Sequence, residues 1–302
     1  MRTNQRLRHH AFIYESDDGY VARSVAFLKE GLESGDACLV GNTRDGNSIM
    51  RDALGEDADR VMFYDVGSLY TRPARSLATY NRTLLEQLRA AESVRVVASG
   101  QFGPTPFEWN EWATYEALTN LAYADLPVWI VCAYDANRTP EPALDAVLRT
   151  HPEVLSGDWR ASELYEDPRE IVRRLTPEPQ PLSGLRSWST GDDLERFREE
   201  IARELVAECV QDRAALRILV ASTEIAANAL IHGRGIEEVR SGSVDGRFVC
   251  EVVDRGSGFD DPAAGYIAPR RGSASGLWVA RQLSWRLDVF SSARGFTVRL
   301  WA

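Results

Sequence analysis

The sequence predicts an α/β protein of two domains: a doubly wound α/β sheet over residues 8–166 and a smaller α/β sandwich over 191–302. Three observations predict it. From residue 10 to about 165, short apolar runs alternate with helical patterns, as parallel strands covered by helices do. The alternation stops at a stretch, 167–190, that holds Pro168, Pro177, Pro179 and Pro181 and reads as a semi-rigid linker. Beyond it the order changes to helices followed by strands. The 302 residues suffice for two domains at about 100–200 residues each.

In the first domain the apolar runs at 11–14, 37–41, 61–64, 94–99 and 128–134 are the expected strands. The helical patterns between and after them fall at about 20–32, 47–54, 74–91, 108–123 and 141–149. In the second domain the 3.6-residue period predicts helices at about 192–209 and 213–233, then strands at 239–243 and 247–253. A Gly/Ser/Pro-rich stretch, 255–275, leads to a helix at 276–284, and strands at 286–291 and 295–301 close a hairpin.

Composition removes several function classes. A net charge of −10 without a basic block argues against nucleic-acid binding, which needs clustered Lys and Arg. No apolar run was found near the roughly 18 residues that span a bilayer, and no signal pattern opens the chain, so the expectation is a cytoplasmic protein without a membrane segment. The four cysteines, Cys38, Cys132, Cys209 and Cys250, form no CxxC pair and read as reduced core residues. The four histidines, His9, His10, His151 and His232, show no metal-ligand spacing. Lys29 is the only lysine and falls on the polar side of a helix, so any ATP chemistry must use a fold that dispenses with a phosphate-binding lysine.

Three segments of the second domain carry chemistry. Glu224 and Asn228 are four residues apart in the second helix and share a face; an amide oxygen is a hard ligand for Mg²⁺, and a carboxylate can take a hydroxyl proton. Val252-Val253-Asp254-Arg255-Gly256-Ser257-Gly258 ends a buried strand on an acceptor-only carboxylate followed by alternating glycines. Gly272-Ser273-Ala274-Ser275-Gly276-Leu277 is a small-residue loop opening a helix, where free N–H groups suit phosphate, with Arg270 and Arg271 just before it.

In this order the segments resemble the N, G1 and G2 boxes of the GHKL ATPase superfamily, in the branch of anti-sigma factor serine kinases, over about 186–302. The resemblance implies a Bergerat-type α/β sandwich that binds ATP and Mg²⁺. It implies Glu224 as catalytic base and Asn228 as magnesium ligand. Asp254 would read adenine, and Gly256, Gly258, Arg271, Ser275, Gly276 and Leu277 would contact the nucleotide. One position departs: Ala274 stands where the third box usually has its first glycine. His232 is expected to be structural. No histidine lies between 160 and 195, which disfavours a histidine kinase.

The first domain carries His10-Ala11-Phe12-Ile13-Tyr14, Glu111-Trp112-Ala113-Thr114-Tyr115-Glu116 and Thr150-His151-Pro152, among other segments. These resemble the MEDS sensory domain named for DcmR, over about 8–166, a domain related to RecA-like ATPases that have lost their nucleotide site. The acidic loop 15–20 fits such a loss, and the match of 41–48 to a P-loop, with Asn47 for the lysine, is taken as chance. His9, His10, Trp109, Trp112 and Tyr115 are candidate pocket residues, though the spacing of Trp112 and Tyr115 on one helix favours core packing over a ligand cage.

Together these readings imply a signalling protein in which a sensory domain with an unidentified small-molecule ligand controls an ATP-dependent serine kinase. By resemblance its partners are a sigma factor and a STAS-type anti-sigma antagonist, and a homodimer is allowed. The alternative is an ATP-binding interaction module with weak catalysis, which Ala274 favours.

Overall fold

The computed structural model describes residues 6–69, 72–100, 103, 105–156, 158–176, 178–269, 276–292 and 294–302. The chain divides into two compact units, 1–176 and 177–302.

The first unit runs β1 (Arg8–Tyr14), α1 (Asp17–Ser34), β2 (Ala37–Asn42), α2 (Arg44–Leu54), β3 (Val61–Asp65), α3 (Val66–Leu69), α4 (Pro73–Gln87), β4 (Val94–Ser99), α5 (Pro106–Ala122), β5 (Val128–Asp135), α6 (Glu141–Thr150), β6 (Glu153–Ser156), β7 (Asp158–Ala161) and α7 (Pro168–Leu175). Its seven strands are ordered β3-β2-β4-β5-β1-β6-β7. All pair in parallel except β6 with β7, which are antiparallel. Alternation along the strands sorts side chains to two faces. Val97, Val131 and Ala133 meet Leu28 and Leu32 of α1 and Met50 and Leu54 of α2. Val96, Ile130 and Cys132 turn to the other face, toward Tyr80 and Leu84 of α4 and Trp112 and Tyr115 of α5. The sheet is therefore doubly wound, as the alternating pattern predicts.

Helix starts follow the side-chain chemistry. Ser16 and Thr43 accept N–H bonds from Gly19 and Gly46 to cap α1 and α2, and Thr105 with Glu108 forms a capping box on α5. The P-loop look-alike is closed by its own side chain: the Asn47 amide donates to the carbonyls of Asn42 and Tyr64, at 3.2 and 2.6 Å.

The stretch expected to be linker is more structured than its prolines suggest. Pro168 sits at the first turn of α7, where a missing N–H costs nothing, and Ile171 and Val172 of that helix are buried against α5. At its far end, the residues Arg186–Trp188 form a strand of the second unit.

That unit runs β8 (Arg186–Trp188), α8 (Leu194–Ala207), α9 (Asp212–His232), β9 (Ile236–Val244), β10 (Arg247–Asp254), α10 (Gly276–Leu283), β11 (Arg286–Ser292) and β12 (Gly295–Trp301). Its five strands form an antiparallel sheet ordered β11-β12-β10-β9-β8. The helices lie on one face: Phe197, Ile201, Ile218, Ile225, Ala229 and Ala280 share a core with Phe248, Cys250, Val252, Val298 and Leu300. On the other face the buried Glu251 carboxylate accepts from Arg299 at 2.7 Å and Arg240 at 2.9 Å.

The expectation of core cysteines holds for Cys38, Cys132 and Cys250, but Cys209 is exposed. α9 is long and apolar enough, by length and composition, to cross a membrane, although Arg217 and Glu224 interrupt it. Its small and branched residues instead pack on the sheet of this unit.

Candidate functional site

The second unit holds an open cavity of about 510 Å³ between α9, the end of β10, β12 and the start of α10, within the roughly 300–1,000 Å³ usual for small-molecule sites. Its apolar wall is Ile225, Ala229, Val252, Leu277, Phe296 and Val298, and Asn228, His232, Arg234, Asp254 and Asp261 bring polar groups to it.

Each polar group owes its place to a local feature. On α9 the spacing of four puts Glu224 and Asn228 one turn apart on a half-buried strip beside the core residues Ile225 and Ala229. Gly276 opens α10 directly against them. A Cβ there would stand 2.9 Å from Glu224 Oε2 and 3.0 Å from both Asn228 amide atoms. Among the described residues, no other side chain binds Glu224 or Asn228.

Asp254 closes β10, where a register shift between Val253 and Asp254 pairs the last residue with Ile236 of β9 while Phe296 of β12 flanks it on the other side. It is 9% exposed. Its Oδ1 accepts the Gly256 N–H at 2.7 Å. Burial raises its carboxyl above the ordinary 3.8, and the Gly256 N–H works in the opposite direction. Among the described residues, Oδ2 accepts no hydrogen bond and remains available to a ligand donor.

Glycines surround this carboxylate because side chains would fill the space. A Cβ on Gly233, just after α9, would lie 2.3 Å from the Asp254 carboxyl carbon. Gly258 has φ +70°, a left-handed conformation that favours glycine, and a Cβ there would meet the Phe296 ring at 2.0 Å. Phe296 in turn packs on Phe259, ring centres 5.1 Å apart. The result is a flat apolar slot ending in an acceptor.

Two arginines hold the frame. Arg255 points away from the cavity, donating to Glu237 and to the Ile236 carbonyl at 2.9 and 2.8 Å, which secures the turn between α9 and β9. Arg281 of α10 donates to the carbonyls of Ala264 and Leu287, at 2.9 Å each, and lies over the Tyr266 ring, tying the loop after β10 to α10.

Of the residues singled out from sequence, Asn228, Asp254, Gly256, Gly258, Gly276 and Leu277 line this one cavity, and Glu224 stands at its edge beside Gly276. Arg271 and Ser275, with Arg270 and Ala274, lie outside the described residues. His232, expected to be structural, is exposed at the cavity rim. Sequence reasoning missed Gly233, Arg234, Phe259 and Phe296. Phe296 pairs with Asp254 across the β10–β12 ladder, a relation that only strand register supplies.

In the first unit, His9, Trp112 and Tyr115 do meet around a small enclosed space of about 20 Å³, room for roughly one water. His10 and Trp109 are not part of it: His10 packs on Trp129 and Trp159, and Trp109 donates to the Gly103 carbonyl.

Comparison with known families agrees with this division. Residues 8–152 match the family model for the MEthanogen/methylotroph, DcmR Sensory domain, MEDS. Residues 188–301 match the family model for the histidine kinase-like ATPase domain. No curated protein matches the chain significantly. A domain of the second kind implies ATP binding, usually with Mg²⁺, and kinase-like activity in general. The pair fits a regulatory, ATP-binding protein.

Proposed function

Since the chain carries a MEDS domain ahead of a histidine kinase-like ATPase domain, we propose that it is an ATP-dependent serine protein kinase of the anti-sigma type, controlled by its sensory domain. The observation that carries the reading is that Asn228 and Asp254 line one cavity, with Glu224 at its edge beside Gly276.

The residues fit a purine nucleotide. The slot at Gly233, Gly256 and Gly258 is space that any Cβ would fill, its walls are apolar, and Asp254 offers an acceptor where an adenine amino group needs one. When bound, Mg-ATP supplies the phosphoryl group and the charge that offsets its phosphates. Asp254 holds the base, and Phe296, Val252 and Leu277 exclude water from it. Asn228 offers its amide oxygen to Mg²⁺. Glu224 orients the acceptor serine and takes its hydroxyl proton, so that the contribution of the chain is positioning and proton removal.

Serine is the preferred acceptor. Three of the four histidines, His9, His10 and His151, are buried in the first unit, and His232 is on the site helix itself, so none serves as an exposed phosphoacceptor ahead of the ATP domain. The partners proposed are a sigma factor and a STAS-type antagonist, in the cytoplasm, with no nucleic acid bound directly. A homodimer is compatible with this reading. Ala274 favours a second reading, an ATP-gated binding module with weak catalysis. Calorimetric titration of Mg-ATP into wild type and Asp254→Asn tests the nucleotide site that both readings share.

A further inference from the structure

Four side chains with metal-binding atoms converge in the core of the first unit, although they are scattered in sequence. His9 comes from β1, Glu116 from α5, Cys132 from β5, and His151 from the end of α6. They are 2%, 1%, 3% and 0% exposed, and one ligand atom of each lies within 4.8 Å of the other three. No two of the four share a spacing in sequence that a metal motif would show.

We propose that His9, Glu116, Cys132 and His151 form a binding site for one divalent transition-metal ion, best suited to Zn²⁺. The separations fit. Metal–ligand bonds of about 2.0–2.3 Å in a tetrahedron place neighbouring ligand atoms about 3.3–3.7 Å apart. Observed are 3.0 Å for His9 Nε2 to Glu116 Oε2, 3.6 Å for His151 Nε2 to the same oxygen, 3.5 Å for Cys132 Sγ to His9 Nε2 and 3.8 Å for Cys132 Sγ to Glu116 Oε2.

The second ring nitrogens settle the tautomers. His151 Nδ1 is 2.9 Å from the Val147 carbonyl, an acceptor only, so that nitrogen carries the hydrogen. Asn120 uses its amide NH₂ on the carbonyls of Glu116 and Thr150, which turns its oxygen toward His9 Nδ1 at 3.1 Å. His9 therefore donates from Nδ1 as well. Both Nε2 lone pairs then face Glu116 Oε2, and the other Glu116 oxygen already accepts from the Tyr134 hydroxyl at 3.1 Å. Lone pairs facing one carboxylate oxygen in a dry core repel unless a metal ion or a shared proton lies between them, and the convergence of four ligand atoms favours the metal ion. Backbone and amide acceptors behind ligating histidines are the usual support for such a site.

Charge and softness select the ion. Two neutral imidazoles, one thiolate and one carboxylate carry two negative charges, which a divalent ion neutralises in a medium where net charge is costly. A thiolate with two imidazoles favours Zn²⁺ over hard cations such as Mg²⁺ or Ca²⁺. Four protein ligands complete a tetrahedron, so the ion would be a fixed part of the domain, joining β1, α5, β5 and α6.

The test uses the full chain without an added histidine tag. Elemental analysis of protein from zinc-supplemented medium should find about one zinc per chain, and protein grown with Co²⁺ should show a thiolate-to-cobalt charge-transfer band. The band should vanish in Cys132→Ser and remain in Cys38→Ser, whose thiol is equally buried but outside the cluster. Glu116→Gln, which keeps the shape, should lower bound cobalt at least tenfold. Wild-type protein with less than a tenth of an equivalent of metal under both conditions would overturn the proposal and leave a proton-bridged His9–Glu116 pair. So would a cobalt–thiolate band that survives in Cys132→Ser.

Discussion

Gly233 and Asp254 are pressed together at the mouth of the cavity: a Cβ on the glycine would stand 2.3 Å from the carboxyl carbon and 2.5 Å from Oδ2. The carboxylate cannot simply turn away, because Oδ1 is held by the Gly256 N–H at 2.7 Å. Gly233→Ala should therefore push Asp254 out of position and weaken ATP binding about tenfold or more, equivalent to roughly 1.4 kcal/mol. Titration calorimetry with a circular dichroism control for folding measures it; unchanged affinity would mean that Oδ2 is not the contact.

Asp254→Asn should weaken ATP by more than an order of magnitude. Whichever way the amide turns, its NH₂ faces either the Gly256 N–H or the adenine amino group, a donor meeting a donor, at a cost of about 1–3 kcal/mol. The same change should stabilise the ATP-free protein near neutral pH, because it removes a buried charge. Affinity falling while the unfolding midpoint rises is the expected pair of results.

The pH dependence follows from the same carboxyl. Its native pKa is raised above 3.8 by burial, so between the unfolded and native values the native state holds the extra proton. Stability without ATP should then decrease as pH rises through that window and stay lower above it. ATP affinity should do the reverse, weakening as pH falls through the native pKa, since the protonated carboxyl turns a donor toward adenine. Urea melts and ATP titrations across about pH 4 to 7 read both; a stability slope that is the same in Asp254→Asn would assign the effect elsewhere.

Much of this site was legible because its chemistry is local. Helical spacing puts Glu224 and Asn228 on one face and a strand end carries Asp254 with Gly256 and Gly258, but only the resemblance of the three segments, taken in order, singles them out as a nucleotide site. What the sequence hid depends on register and layer packing. Phe296 enters the slot because β12 pairs antiparallel with β10. Gly233 looks like an ordinary helix terminator until the carboxylate is placed against it. The strands β6 and β7 and the helix α7 escaped notice because each is short, and Pro168 resembles a break where it is a first-turn residue. The cluster of His9, Glu116, Cys132 and His151 arises where two neighbouring parallel strands meet α5 and the end of α6, and no linear pattern encodes it.

The outer face of the second sheet makes a stability prediction. Glu251 is fully buried and neutralises Arg299, itself 3% exposed, and Arg240. Glu251→Ala strands these guanidinium groups and should cost about 3–5 kcal/mol, read from urea unfolding. A loss below about 1 kcal/mol would show that water reaches and screens the pair.

Phosphate transfer to a protein serine separates a kinase from an ATP-binding module. The full chain is incubated with Mg²⁺, γ-labelled ATP and candidate STAS-type antagonist proteins, and phosphoserine is identified by acid-stable label and peptide mapping. Label is expected on a serine of the cognate antagonist. Glu224→Ala should bind ATP with nearly wild-type affinity but transfer phosphate about 10²–10⁴-fold more slowly, the usual loss of a general base. Wild-type protein that binds Mg-ATP yet labels no antagonist, or a Glu224→Ala variant that transfers at the wild-type rate, would contradict the serine-kinase reading.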